Sequence, residues 1–297
     1  VATRKLRELK LEKIYEPPSP TESNGRLEQG IASLEHADRV IHGPCKVLDP
    51  EGKPQLICLP VGNIAALKKE LAQVKYGRAG RSSGMVSRSR TFGYSPRLPV
   101  RGHEACRATS FAQDYPEATR LLTQAAQSVE KIYEKHLPEE CKLHSAETEE
   151  RVHPAWRIGG GMFTSGIINK NSALHYHVDR GNFKERWSAM LTIKERLTEG
   201  GELVFPEWKI AHACNDSHLM LFHGQKWWHG VTPMKILKGG YRITVVFYSL
   251  HAMWHCLAPD EELDRARKKR TERERKLERV SVRKDKPRKK ARPKKPS

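Results

Sequence analysis

At about Val152 the period of the chain changes. From there to Cys256, short apolar runs are separated by turn residues: "GMFTSGIIN", "ALHYHV", "WSAMLTI", "GELVF", "HLMLF" and "YRITVVFYSL". Within these runs side chains alternate with period two, as in half-buried strands. Short strands of this kind each leave an apolar face to cover. At this spacing they pack as a jelly roll or close into a barrel. No run approaches the roughly 18 apolar residues of a membrane span, so none is expected.

The residues before Val152 read differently. In "YPEATRLLTQAAQSVEKIYEKHLP", Ala118, Leu121, Leu122, Ala125, Val129, Ile132 and Tyr133 form one helical stripe. Pro116 opens that helix and Pro138 closes it. "VGNIAALKKELAQV" predicts a shorter helix through Ile64, Leu67, Leu71 and Val74, with Asn63 as its cap. "YGRAGRSSGMVSRSRTFGYSPRLPVRG" reads as long loops, and "YEPPSPTESNG" marks a mobile polar arm. The expected divisions are an arm over 1–30, a helical and loop region over 31–150, a β core over 151–257, and a basic helix with a disordered tail over 258–297.

Charge is concentrated at the C-terminal end. Residues 265–297 hold eighteen Lys/Arg against four Asp/Glu, which is +14 of the chain's +19. Such a segment neutralises phosphates without reading sequence. Arg288, Lys289, Lys290, Arg292, Lys294 and Lys295, in "PRKKARPKK", are the candidate DNA-binding residues. The same run resembles a nuclear import signal, and a solubilising tail is the plain alternative. Six cysteines are scattered with no CxxC pair, which fits neither a zinc ribbon nor a disulfide-dense secreted domain. The N-terminal residues lack the apolar core of a signal peptide. The expected location is intracellular: the nucleus of a eukaryote, or the host cytoplasm for a phage or bacterial protein. A monomer is expected.

The residues that carry chemistry lie in the β region. In "SALHYHVDRGNF", His175, His177 and Asp179 share one strand face. His229 follows Asp179 by fifty residues, in "GQKWWHGVTP", and Arg242 lies thirteen further on, in "GGYRITVVFYS". Two imidazoles and a carboxylate hold one face of a non-haem Fe(II) and leave positions open for 2-oxoglutarate and O2. The far carboxylate of that cosubstrate needs a cation and a hydroxyl. Arg242 and Thr244, two apart on one face, supply both, and Arg binds a carboxylate bidentately. His175 is a rival ligand to His177, and Lys238 a rival to Arg242. A cupin-like binding barrel without iron chemistry is the alternative reading.

The stretch from about Arg90 to Cys256 resembles the TET/JBP family of DNA 5-methylpyrimidine dioxygenases, most closely its compact phage and microbial members. "RTFGYSPR", "FTSGIINKNSALHYHVDRGNF", "WSAML", "GGELVFPE", "HGQKWWHGVTP" and "GGYRITVVFYSLHAMWHC" carry the likeness. It implies an α+β fold: a double-stranded β-helix (jelly-roll, cupin-like) with N-terminal helices packed outside and a basic C-terminal tail. It implies Fe(II) on His177, Asp179 and His229, and 2-oxoglutarate on Arg242 with Thr244. It also implies oxidation of the C5-methyl of 5-methylcytosine in DNA to the hydroxymethyl, the base flipped into the site. Asn169, Asn171, His175, Arg180 and Trp228 are the candidates for contacting that base. Unlike the animal members, the chain has no cysteine-rich zinc module and no long insert in the barrel. The alternatives are a protein side-chain hydroxylase on the same barrel and an inactive DNA-binding barrel. His251 and His255 sit four apart, as zinc ligands on a helix do, but no second pair accompanies them. Trp187, Trp254 and at least one of Trp227 and Trp228 read as core.

Overall fold

Eight strands follow Val152 in the computed structural model, which describes residues 6–17, 21–23, 26–28, 30–80 and 86–284. They are β1 (Ser165–Lys170), β2 (Leu174–His177), β3 (Ser188–Gly200), β4 (Leu203–Phe205), β5 (Ile210–His212), β6 (His218–Phe222), β7 (His229–Val231) and β8 (Met234–Tyr248). One sheet has the neighbour order β1-β8-β3-β6 and the other β2-β7-β4-β5. All these pairings are antiparallel. The chain crosses between the two sheets as it advances, which makes an α+β double-stranded β-helix.

The period-two pattern separates two cores on opposite sides of the larger sheet. Ile243, Val245 and Phe247 of β8, Leu191 and Ile193 of β3, and Leu219 and Leu221 of β6 pack beneath helices. These helices are α1 (Ala65–Gln73), α2 (Pro116–His136) and α3 (Pro138–Arg151). Leu71, Leu122, Ala126, Val129 and Tyr133 are the residues they press onto the sheet. Each fully buried Leu or Phe in such a layer contributes about 1.5–3 kcal/mol. The opposite parity faces the barrel interior: Met190, Met220 and Phe222 meet Leu203, Phe205, Trp208 and Val231 of the smaller sheet. A one-residue slip would exchange the two faces, so the register is strongly fixed. Asn63 caps α1 as expected, its Oδ1 accepting from the N–H of Ala65 at 3.0 Å. Pro138 ends α2 but also opens α3, a helix not expected from the sequence.

Strands before Val152 widen both sheets, which corrects the reading of that region as helix and loop. Pro54–Pro60 pairs with β6, Cys45–Leu48 with Pro54–Pro60, and Arg7–Lys10 runs parallel to Cys45–Leu48. The stretch read as a mobile arm thus contains paired backbone. On the other edge Val86–Ser95 pairs with β1, and Gly77–Gly80 with Val86–Ser95, inside the expected long loops. The reason is visible in the burial. Ser87 and Ser89 point inward while Arg88 points out, so alternation is real but carried by small polar residues that hydropathy does not register. In "QLIC", Gln55 to Cys58 are all buried, as in a central strand covered on both faces.

The C-terminal helix α4 (Pro259–Lys284) is rooted on the barrel. Cys106 and Cys256 form a disulfide across 150 residues, which their scattered spacing did not signal. Glu262 is 1% exposed. It accepts from Arg97 Nε at 3.0 Å, from Cys106 N at 2.9 Å and from Leu257 N at 2.8 Å. Burial alone raises its carboxyl pKa, but the Arg97 guanidinium and these N–H groups together hold it below the ordinary value. No helix among the described residues is long and apolar enough to cross a membrane. Arg288, Lys289, Lys290, Arg292, Lys294 and Lys295 lie outside the described residues.

Candidate active site

Strand pairing brings the two imidazoles together. His177 ends β2, His229 opens β7, and the two are cross-strand partners with ring centroids 4.4 Å apart. Asp179 follows β2, and its backbone N–H donates to the Gly224 carbonyl at 2.8 Å. Its carboxylate lies 3.7 Å from His177 Nε2 and 3.9 Å from His229 Nε2. The ligand atoms of His177, Asp179 and His229 all fall within 4.8 Å of one another, the one such group among the described residues.

Hydrogen bonds on the far side of each ring set its tautomer. His177 Nδ1 is 2.8 Å from the His175 carbonyl, and His229 Nδ1 is 2.9 Å from the Trp227 carbonyl. A carbonyl only accepts, so each Nδ1 carries the proton and each Nε2 offers a lone pair toward Asp179. Two imidazole nitrogens and one carboxylate, with no thiolate, suit a divalent first-row cation that keeps open positions. The residues present therefore fit an iron ion.

Gly224 completes this corner. A Cβ there would lie 2.5 Å from Asp179 Oδ2 and 3.2 Å from Ser188 Oγ. Oδ2 is also the oxygen nearer to His229. Gly224→Ala is therefore expected to swing the carboxylate away and weaken divalent-metal binding by about 10–100-fold, the range of changes that disturb a ligand's support. The fold should survive, since a side-chain end can yield. Metal titration beside a melting curve checks this, and unchanged metal affinity would refute it.

Deeper in the barrel, β8 places Arg242 and Thr244 on one face, 2% and 3% exposed. Thr244 is the cross-strand partner of Asn169 on β1 and of Thr192 on β3. Arg242 Nε and Nη2 are buried with no hydrogen-bond partner among the described residues. Burial draws the guanidinium pKa below its ordinary value, an effect offset in part by neighbouring Cys214 and Glu202. A buried cation with idle N–H groups is costly unless an anion completes it. Arg242 thus fits the carboxylate of a small diacid such as 2-oxoglutarate. Lys238, its rival, is exposed.

The other sequence candidates are scattered around this centre. Asn171, in left-handed backbone at φ 50°, accepts from Arg242 N through Oδ1 at 2.8 Å. Its side chain is committed to positioning Arg242. Asn169 is buried beside Thr244, its cross-strand partner. His175 is half-buried and lends its carbonyl to His177, but lies outside the three-residue group. Arg180 is exposed, in the loop after Asp179. Trp228 is half-buried against the cluster of Ala32, Tyr176, Val204 and Ala211, and its main-chain N–H donates to Glu207 Oε2 at 2.8 Å. Trp227 is core and donates to Gln55 Oε1 at 2.9 Å. The His251 ring packs tilted against Trp254, with centroids 4.2 Å apart and planes at 59°. Gly224 and Asn171's bond to Arg242 were missed as site-building features. A glycine closely following an apolar strand and preceding the distal histidine is the one signal that pointed to the former.

The oxygenase domain of the 2OGFeDO superfamily, Tet_JBP, matches residues 92–251. Among curated protein sequences nothing matches the chain. Among solved structures, one described as NgTET1 in complex with 5mC DNA aligns with TM-score 0.50 and 13% identity, covering 73% of this chain and 84% of that one. An oxidoreductase of the 2OG-Fe(II) oxygenase family from Burkholderia pseudomallei aligns with TM-score 0.40 and 14% identity, covering 67% and 86%. At such identities the first likeness speaks to the fold alone. The matched domain spans more than half of the sequence and contains His177, Asp179, His229, Arg242 and Thr244. The chain belongs to the Tet_JBP family of 2OGFeDO oxygenases.

Proposed function

We propose that the chain is an Fe(II)- and 2-oxoglutarate-dependent dioxygenase that oxidises the C5-methyl of 5-methylcytosine in DNA to 5-hydroxymethylcytosine. The observation that carries this reading is the meeting of His177, Asp179 and His229 in a barrel that also buries a guanidinium with idle donors. Two observations support DNA as the substrate. NgTET1, which shares the fold, is described in complex with 5mC DNA. The chain also carries +14 in its last thirty-three residues.

Bound Fe(II), 2-oxoglutarate and O2 supply the oxidising chemistry. The protein's part is placement. His177 and His229 present Nε2, their Nδ1–H groups pinned to main-chain carbonyls. Asp179 supplies the anionic ligand, held by Gly224. Arg242 grips the distal carboxylate with its idle N–H groups, Thr244 adds a hydroxyl, and Asn171 steadies the Arg242 main chain. A methyl stacked inside a duplex cannot reach this depth, so the base must leave the stack. His175, Arg180 and Trp228 are the residues we assign to receive it. Asn169 and Asn171, with their places beside Thr244 and Arg242, are assigned to the cosubstrate side instead.

The test is to incubate the protein with methylated duplex, Fe(II), ascorbate and 2-oxoglutarate, then analyse the nucleosides by mass spectrometry. The expected result is one added oxygen on 5-methylcytosine, dependent on 2-oxoglutarate. Succinate formed with peptides while DNA stays unchanged would instead mark a side-chain hydroxylase. No succinate under any condition would mark an inactive barrel.

A further inference from the structure

The root of α4 and the loop that carries Asp179 share one hydrophobic cluster. Phe183, four residues past Asp179, packs edge-on against Trp254 at 5.3 Å, and both join Cys106, Trp156, Met253 and Cys256. The main chain ties the same segments, with His251 N–H donating to the Gly181 carbonyl at 3.0 Å and Phe183 N–H to the Ser249 carbonyl at 2.9 Å. Trp156 Nε1 donates to the Leu257 carbonyl at 2.6 Å. With the disulfide and Glu262, these bonds seat the helix firmly against the end of the barrel where Asp179 lies. At 1.5 Å per residue, its 26 residues reach about 39 Å, roughly one turn of duplex.

Between this helix and residues 102–107 runs a cleft of about 610 Å³. Arg107 stands on one wall, and Arg267 and Arg270 on the other. All three are exposed. Arg267 and Arg270 reach Asp264 and Glu274 on their own helix, at 3.2 and 3.0 Å. Exposed pairs of that kind are worth at most about 1 kcal/mol and exchange readily for a stronger anion. Arg273 is different: it is paired with Glu104 of the facing loop, and Arg265 donates to the Glu104 carbonyl at 2.6 Å. These two bonds hold the walls together while the other arginines face the opening.

We propose that this cleft is a phosphodiester-binding groove, which holds the backbone of the duplex flanking the target base. It rests on the reading of DNA as the substrate and extends it to a second binding surface outside the barrel. The backbone of a nucleic acid is the occupant because the groove carries three exposed guanidinium groups, and one of its walls is the helix that precedes, in sequence, the basic C-terminal residues. It sets position and orientation, and carries no base readout.

The test compares the full-length protein with two triple variants, Arg107→Ala/Arg267→Ala/Arg270→Ala in the groove and Lys268→Ala/Lys269→Ala/Lys276→Ala elsewhere on the same helix. Both remove three positive charges. The probe is an unmethylated 30-bp duplex, its affinity measured at several salt concentrations, with melting curves to show that each variant folds. The groove variant should bind about 10–100-fold more weakly at low salt. The slope of log affinity against log salt should fall by about 2.7, close to 0.9 for each phosphate no longer neutralised. The lysine variant should weaken much less. Equal weakening in the two variants, or none in the groove variant, would overturn the proposal. So would polyglutamate competing as well as duplex of equal charge, since the groove would then read charge alone. Because this probe has no methyl group and needs no turnover, absence of 5-methylcytosine oxidation would strike the proposed reaction and leave the groove to be judged on binding.

Discussion

Replacing His177, Asp179 or His229 by Ala leaves no measurable turnover, and His175→Ala retains it. That is the expected outcome if the three residues that converge within 4.8 Å are the metal ligands. Removing a group that supports a ligand costs about 10–100-fold in metal affinity or activity, so removing a ligand itself should exceed ~100-fold. His175 contributes its main-chain carbonyl to the His177 ring, and that carbonyl survives truncation to Ala. Metal titration and succinate formation are the two readouts, and each variant should lose or keep both together. Should His175→Ala lose metal while His177→Ala keeps it, the ligand assignment would be wrong.

The second large effect separates stability from activity. Arg242 is 2% exposed with two idle donors, so without a bound anion it is a buried cation lacking full compensation. Arg242→Met replaces it with an apolar side chain of similar length. Replacing buried ions by well-packed apolar groups is neutral or stabilising by about 1–4 kcal/mol. The cosubstrate-free variant should therefore melt no lower than wild type, and each kcal/mol gained should raise Tm by about 2–4 °C. Addition of 2-oxoglutarate should raise the wild-type Tm by mass action and leave the variant unmoved. In turnover, loss of the charge-assisted pair, worth about 2–5 kcal/mol, should raise the 2-oxoglutarate requirement at least ~30-fold. Thermal melting with and without 2-oxoglutarate tests both halves. A variant that melts lower and still gains stability from 2-oxoglutarate would remove Arg242 from the cosubstrate site.

The barrel was legible because its strands are short apolar runs separated by turn residues at regular spacing. The convergence of His177, Asp179 and His229 was legible from the H-x-D pair and a later histidine beyond an apolar strand. That Arg242 and Thr244 share one buried face was legible from strand parity. The added strands were hidden by chemistry that strand patterns do not weigh: serines facing inward in Val86–Ser95, and burial of both faces in Pro54–Pro60. Asn171 looked like a base contact because Asn reads bases well. Its left-handed backbone and its bond to Arg242 depend on a strand more than seventy residues away, which no local window contains. Gly224 showed only its place between an apolar strand and the distal histidine, since the atom it makes room for belongs to Asp179.

The link between Cys106 and Cys256 closes a covalent ring around α2, α3 and all eight barrel strands. His177, Asp179, His229, Arg242 and Thr244 all lie inside it. During synthesis Cys256 emerges after β8, the strand that sits between β1 and β3 and completes the larger sheet. The ring therefore cannot close on a nascent chain until the last barrel strand has been made. Closure is a late event that follows synthesis of every barrel strand. Once closed, the ring keeps both fragments of a chain cut once within it on a single covalent body, so such a nick separates nothing until the thiols are reduced.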